Sequence, residues 1–269
     1  MKKLRTRVQT FFSAGAIAAV AAAAFGVFGP LAAAARADWH TFLFSTDATG
    51  LDARRSAVET GAGYNGLPQD KVALPADQRR TDAWIGAAVG VTRWLQLDGA
   101  VAFADGPERP YGFGYGRVEL RAQVLEPRGK LPLSIAVGGG YQVDALLEHA
   151  VTGVVATTLE LGRVLATANV RVAHFFAPDR DPIDVVLTLG VSVRTASWLR
   201  LGAEYVGEEL EGADDPGEVE VGGGGRHYVG PSAAFLMMSG RLRLNATAGP
   251  VMTTRSTSGL ARAALVYLF

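Results

Sequence analysis

The stretch ARAALVYLF, residues 261–269, places Ala261, Ala263, Leu265, Tyr267 and Phe269 on one side of a two-residue repeat. A period of two is that of a β-strand, whose successive side chains point to opposite faces. Terminal residues of a soluble domain usually fray into water. This apolar stripe, ending on an aromatic ring, instead requires something to cover it.

The same period runs back through the chain. In TDAWIGAAVGVT, residues 81–92, Ala83, Ile85, Ala87, Val89 and Val91 alternate with polar, small or aromatic residues. Leu95, Leu97, Gly99, Val101 and Phe103 follow on one face, with Gln96, Asp98, Ala100 and Ala102 on the other. Further alternating runs are centred near Leu120, Val137, Val155, Val170, Leu189, Leu201, Ala233 and Leu244. SAVETGAGYNG, residues 56–66, supplies one more, ahead of the run at Thr81. The pattern predicts about twelve strands, or ten if one weak hairpin fails. Short connections fall near Arg93, Arg128, Gly162, Ser197 and Gly240. Longer ones include DGPERPYG, APDRDP and the segment from Gly207 to His227.

Two soluble readings compete with a membrane one. The strands of a β-sandwich are typically about five or six residues long, whereas most runs here reach the length that crosses a bilayer at a tilt. A lipocalin-like barrel would turn its apolar face inward, and alternation alone does not distinguish inside from outside. Three features favour an apolar exterior. One face is Val, Leu, Ile and Ala with almost no charge. The other mixes Gly, Ala and Ser with charges of both signs. Aromatic residues gather near strand ends: Tyr64, Trp84, Phe103, Tyr141, Phe175, Phe176, Tyr205 and Tyr228 toward long connections, and Trp94, Trp198, Tyr267 and Phe269 toward short ones. Such girdles mark the two membrane interfaces. The expected fold is all-β, a transmembrane antiparallel up-and-down barrel over residues 56–269.

Leu265, Tyr267 and Phe269 at two-residue spacing resemble the C-terminal signal of Gram-negative bacterial outer-membrane β-barrel proteins, of the porin or transporter-like kind. The resemblance extends as a pattern over roughly Ser56 to Phe269. It implies that the barrel-assembly machinery reads those three residues, that the stripe faces outer-membrane lipid, and that the last strand closes against the first.

The front of the chain agrees with export. Lys2, Lys3, Arg5 and Arg7 precede an apolar stretch, and Ala35-Arg36-Ala37 has the small-x-small form of a cleavage site. Residues 1–37 are expected to be a secretory signal, with an uncleaved anchor as the rival. Residues 38–55 are expected as a periplasmic lead-in, with an inserted plug or a true first strand as the alternatives. The predicted location is the outer membrane.

The formal net charge is zero, so nothing favours a polyanion such as nucleic acid. There is no cysteine, which excludes disulfides and thiolate metal sites. No cofactor or metal is expected. The acidic run between residues 208 and 220 matches no EF-hand spacing, and its ligand, if it has one, is open. Histidines 40, 149, 174 and 227 all lack a serine two residues later. Outer-membrane lipid hydrolases as families carry such a pair; a partner on another strand, such as Ser232 for His174, would be needed instead. The expectation is therefore no enzyme.

Twelve strands lie between barrels filled by side chains and those that leave an aqueous channel, so the inward residues decide. Asp98, Arg117, Glu119, Arg121, Glu160, Asn169, Arg171, Arg200, Glu204, Arg243 and Arg262 are the expected pore-lining set. They suggest a narrow passive channel for small polar or anionic solutes. Alternatively, the charges pair across the lumen and close it, leaving a structural barrel with recognition by its loops.

Overall fold

The structure, a computed structural model, describes residues 41–65, 81–106, 109–126, 132–144, 147–177, 182–208, 226–252 and 257–269. The proposed signal and most of the acidic run fall outside the described residues. Twelve strands form one closed barrel: β1 Ser56–Asn65, β2 Thr81–Gly90, β3 Leu95–Gly106, β4 Arg109–Leu125, β5 Leu133–Val143, β6 His149–Leu161, β7 Val164–Phe175, β8 Ile183–Ala196, β9 Leu199–Glu208, β10 Arg226–Met237, β11 Leu242–Met252 and β12 Thr257–Leu268. Each strand pairs antiparallel with its neighbours in sequence. Closure comes from β1 against β12, in a register running from Ala57↔Leu268 to Asn65↔Leu260. Beyond it, Phe269 N–H donates to the Ser56 carbonyl at 2.9 Å.

The two faces separate by parity. Val137, Val155, Val170 and Leu187 lie side by side across β5 to β8, and the three valines are exposed on the outside. The inward row beside them is Ser134, Thr158, Thr167, Gly190 and Glu204. The oily rows therefore face outward and the mixed rows inward, so the alternating face is a lipid-facing surface and not a core. Leu265 and Phe269 share the outer face, and the Tyr267 and Phe269 rings meet edge to face at 4.8 Å.

The structure changes three expectations. DGPERPYG does not form a long loop: β3 and β4 continue as a ladder as far as Gly106↔Arg109. Trp84, Phe175 and Tyr228 are not girdle residues. Their positions share the parity of the polar face, and all three are buried inside. A side chain at Gly61 would collide with the Trp84 ring, so this glycine makes the inward indole possible. Finally, within the segment expected as a periplasmic lead-in, with an inserted plug as an alternative, residues 41–51 run inside the barrel and 52–55 are exposed.

The outer face generates one test. Replacing Val155 with Arg puts a charge in the middle of the apolar belt. Reversible urea unfolding in lipid should show a loss of about 2–4 kcal/mol, with Ala at the same position costing less.

Candidate functional site: the lumen and its internal segment

The internal segment lies along the wall in sequence order. Leu51 N–H donates to Gln96 Oε1 on β3 at 2.7 Å, and the Thr49 hydroxyl meets Ser134 on β5 at 3.3 Å. Ala48 N–H donates to Thr158 Oγ1 on β6 at 2.8 Å. Thr167 on β7 donates to the Thr46 carbonyl at 3.2 Å. The Glu204 carboxylate on β9 accepts from Leu43 N–H at 3.1 Å and Phe44 N–H at 3.0 Å. Phe42 is buried over Gly190 of β8, where any Cβ would press on its ring. Near the short-turn end, Arg54 N–H donates to the Gly90 carbonyl at 2.8 Å, which carries the chain out of the lumen and into β1. The physical reason is donor balance. An irregular segment has backbone groups that need partners, and the polar face of the barrel supplies them.

The charged residues expected to line the lumen form an ion-pair lattice on the inner wall. Arg121, on β4, is buried. Its Nε donates to Asp98 Oδ2 at 2.9 Å and its Nη2 to Asp98 Oδ1 at 3.0 Å, a two-pronged pair. Its Nη1 reaches the Asp47 carbonyl of the internal segment at 3.1 Å. Gln96 donates to the same Asp98 at 2.6 Å. Glu119 lies 3.5 Å from Arg121 and pairs with Arg171 of β7. Arg262 of β12 pairs with Asp82 of β2, and its guanidinium sits over the Trp84 ring at 4.8 Å and the Phe44 ring at 5.2 Å. Asn169, Arg200, Glu204 and Arg243 are buried on the inner face, and Glu160 is half-buried at the short-turn end of β6.

Arg117 differs from these. It is half-buried, and among the described residues no carboxylate pairs with it. It borders a cavity of about 250 Å³. Phe42–Thr46 of the internal segment form one wall of that cavity. Glu59, Trp84, Tyr115, Arg171 and Arg262 help form the others. Sequence reading did not single out Glu59, Trp84, Gln96 or Gly190 as site residues. The only available signal was the apolar run Phe42-Leu43-Phe44 lying outside the strand pattern.

Among the described residues, the three histidines have aromatic neighbours and none contacts a serine. His149 contacts the Tyr141 hydroxyl, His227 the Tyr205 hydroxyl at 2.8 Å, and His174 packs on Phe176. His174 faces outward, whereas Ser232 is buried inside.

A closed antiparallel barrel with an apolar outer belt and a polar, charged interior defines an outer-membrane β-barrel. No family model matches the chain, and no curated protein matches it. Among solved structures, the chain resembles the KdgM porin at TM-score 0.53 and 10% identity, covering 79% of this chain and 99% of that one. It resembles the NanC porin at TM-score 0.57 and 6% identity, covering 78% and 98%. An outer membrane channel from Pseudomonas putida F1 superposes at TM-score 0.59 and 9% identity, covering 85% and 100%. At these identities the likeness is one of fold.

The lattice predicts a stability effect. Arg121→Met removes the two-pronged cationic partner of Asp98 and one of the two cations beside Glu119, and releases the Asp47 carbonyl. Denaturant titration of the folded barrel should show a loss on the order of 3 kcal/mol, and less in Asp98→Asn, which retains a hydrogen-bond acceptor for the guanidinium.

Proposed function

We propose that this barrel is a narrow passive channel for small polar solutes, with a preference for anions, and that residues 41–55 set its bore. The observation that carries the reading is the cavity of about 250 Å³ left beside the internal segment, bordered by Arg117, with which no carboxylate pairs among the described residues. The comparison structures of the same fold are porins and a channel, and one of the KdgM porin structures is a complex with oligogalacturonate, an acidic oligosaccharide. Paired arginines present little net charge to a passing ion, so the selectivity is assigned to Arg117 and not to the arginine wall as a whole. Export by a signal at residues 1–37, and insertion into outer-membrane lipid by machinery that reads Leu265, Tyr267 and Phe269, belong to the same proposal. The many contacts of the internal segment favour a second reading, a closed structural barrel with recognition by its loops.

Planar-bilayer recording separates the two readings. Pure, folded protein should give discrete conductance steps; their absence selects the closed barrel. The chain has no cysteine, and Ala48 and Ala156 share one buried cluster, so Ala48→Cys with Ala156→Cys tests a disulfide tether between the segment and the wall. Oxidation should hold the low-conductance state, and deleting residues 41–49 should raise conductance several-fold. Unchanged conductance in the deletion variant would show that the segment does not limit the bore.

Selectivity is tested in the same recording. Arg117→Met should shift the reversal potential in a salt gradient toward cations, and Arg117→Lys should not. An unchanged potential in Arg117→Met removes that residue as the source of anion preference.

A further inference from the structure

The chain carries no net charge, yet its charges divide between the two ends of the barrel. At the short-turn end, Arg54 and Arg55 precede β1, Arg93 lies in the β2–β3 turn, Arg163 in the β6–β7 turn and Arg241 in the β10–β11 turn. All five are exposed, and among the described residues no carboxylate pairs with any of them. None borders the lumen cavity. At the long-loop end, the described side chains include Asp105, Asp144, Glu148, Asp184 and Glu208, against Arg226, which pairs with Glu208 at 3.5 Å.

The turns hold these arginines on fixed backbone. Thr92 Oγ1 accepts from Trp94 N–H at 3.3 Å and from Leu95 N–H at 3.1 Å, which closes the turn around Arg93. The Arg163 carbonyl accepts from Arg194 N–H at 2.8 Å, and the Arg241 carbonyl from Leu268 N–H at 2.8 Å. The Arg55 carbonyl accepts from Gly90 N–H at 2.9 Å. The cations are thus set at intervals round the rim before a partner arrives, so binding has only their side chains to order.

Their neighbours specify that partner. Trp94 follows Arg93 directly and is 49% exposed. Trp198, in the β8–β9 turn, is 54% exposed and stacks on Phe235 at 6.2 Å. Phe269 is exposed at the same end. Tryptophan in a membrane protein marks the depth of the lipid headgroups, and an arginine beside it lies at the phosphates, whose oxygens suit the guanidinium fork. A soluble acidic partner would have no use for the exposed rings. A free anion would need the cations gathered in one pocket, whereas these are spread round the circumference.

We propose that the short-turn rim docks on the headgroups of anionic phospholipids in the periplasmic leaflet, the side on which the short turns of such barrels lie. The rim thereby selects the lipids around the barrel and fixes its depth in the membrane. This inference uses the lipid-facing outer surface and is independent of conduction through the lumen.

Electron spin resonance of the full barrel in phosphatidylcholine vesicles tests it, with spin-labelled phosphatidylglycerol and spin-labelled phosphatidylcholine as the probes. A cation near an anionic headgroup favours association by about fivefold, so phosphatidylglycerol should be preferred by about twofold or more when averaged over the whole lipid shell. Arg93→Gln, Arg163→Gln and Arg241→Gln together should remove most of the preference, and lysine at the same three positions should keep it. In the unaltered protein the preference should disappear at about 1 M NaCl, where the screening length is about 3 Å. Equal association of the two probes, a preference that survives the salt, or one retained in the glutamine variant overturns the proposal. If that variant does not fold, the salt dependence decides. A glutamine variant with an altered reversal potential and an unaltered lipid preference assigns the arginines to the channel mouth, which also overturns it. A barrel that prefers phosphatidylglycerol without conducting keeps this inference and loses the channel; one that conducts without the preference does the reverse.

Discussion

The rest of the structure depends on one constraint: a backbone polar group in hydrocarbon has no water to bind. Each unsatisfied N–H or C=O costs several kcal/mol, so a sheet can cross a membrane only if it has no edge. The β1–β12 ladder meets this condition along its length, down to the bond from Phe269 to Ser56. The weak point of the ladder is instructive. Pro231 and Pro250 face each other's strands in β10 and β11, and register pairing lapses between Tyr228↔Val251 and Ser232↔Thr247. The Thr247 hydroxyl, on the inner face, donates to the Pro231 carbonyl at 2.8 Å. A side chain of the polar lumen thus satisfies a carbonyl that the ladder leaves over.

Closure also creates the second problem that this protein solves. Once the oily rows face lipid, the other half of each strand is enclosed, and its polar groups need partners at close quarters. The chain answers with two devices. Cross-strand ion pairs neutralise most of the charge; Asp98, for example, lies on β3 and its partner Arg121 on β4. The internal segment matches irregular backbone against the remaining side chains, most economically at Glu204, whose two oxygens accept successive N–H groups. Gly190 supplies the flat seat for Phe42 that a larger residue would fill.

The alternation made the barrel legible from residues alone, because a two-sided strand has a period that side-chain chemistry displays directly. Strand number and the ends of β1 and β12 followed from Ser56, Tyr64 and the stripe up to Phe269. Parity also held the correct reading of Trp84, Phe175 and Tyr228, but their nearness to strand ends suggested a girdle. The path of residues 41–55 was not legible. An irregular segment has no period, and its partners are as far away in sequence as Glu204. The division of the arginines into paired and unpaired was equally hidden, since Glu119 and Arg171 are brought together across the lumen and not by a neighbouring register.

The pairing lattice and the lone Arg117 are two consequences of the same electrostatics. In a narrow, low-dielectric bore, charge is felt more strongly than in open water, so a wall of unpaired arginines would hold anions too tightly to release them, besides repelling itself. Neutralising Arg121, Arg171 and Arg262 removes that trap and stiffens the wall at the same time. In the channel proposed above, one guanidinium left facing the cavity is then enough to bias which ions enter. A channel gains selectivity from a weak site only if the path past it is narrow, and Phe42–Thr46, forming the inner wall of the cavity, supply that narrowness. On the proposed reading, the segment that balances the polar groups of the lumen is the same one that obliges a solute to pass Arg117.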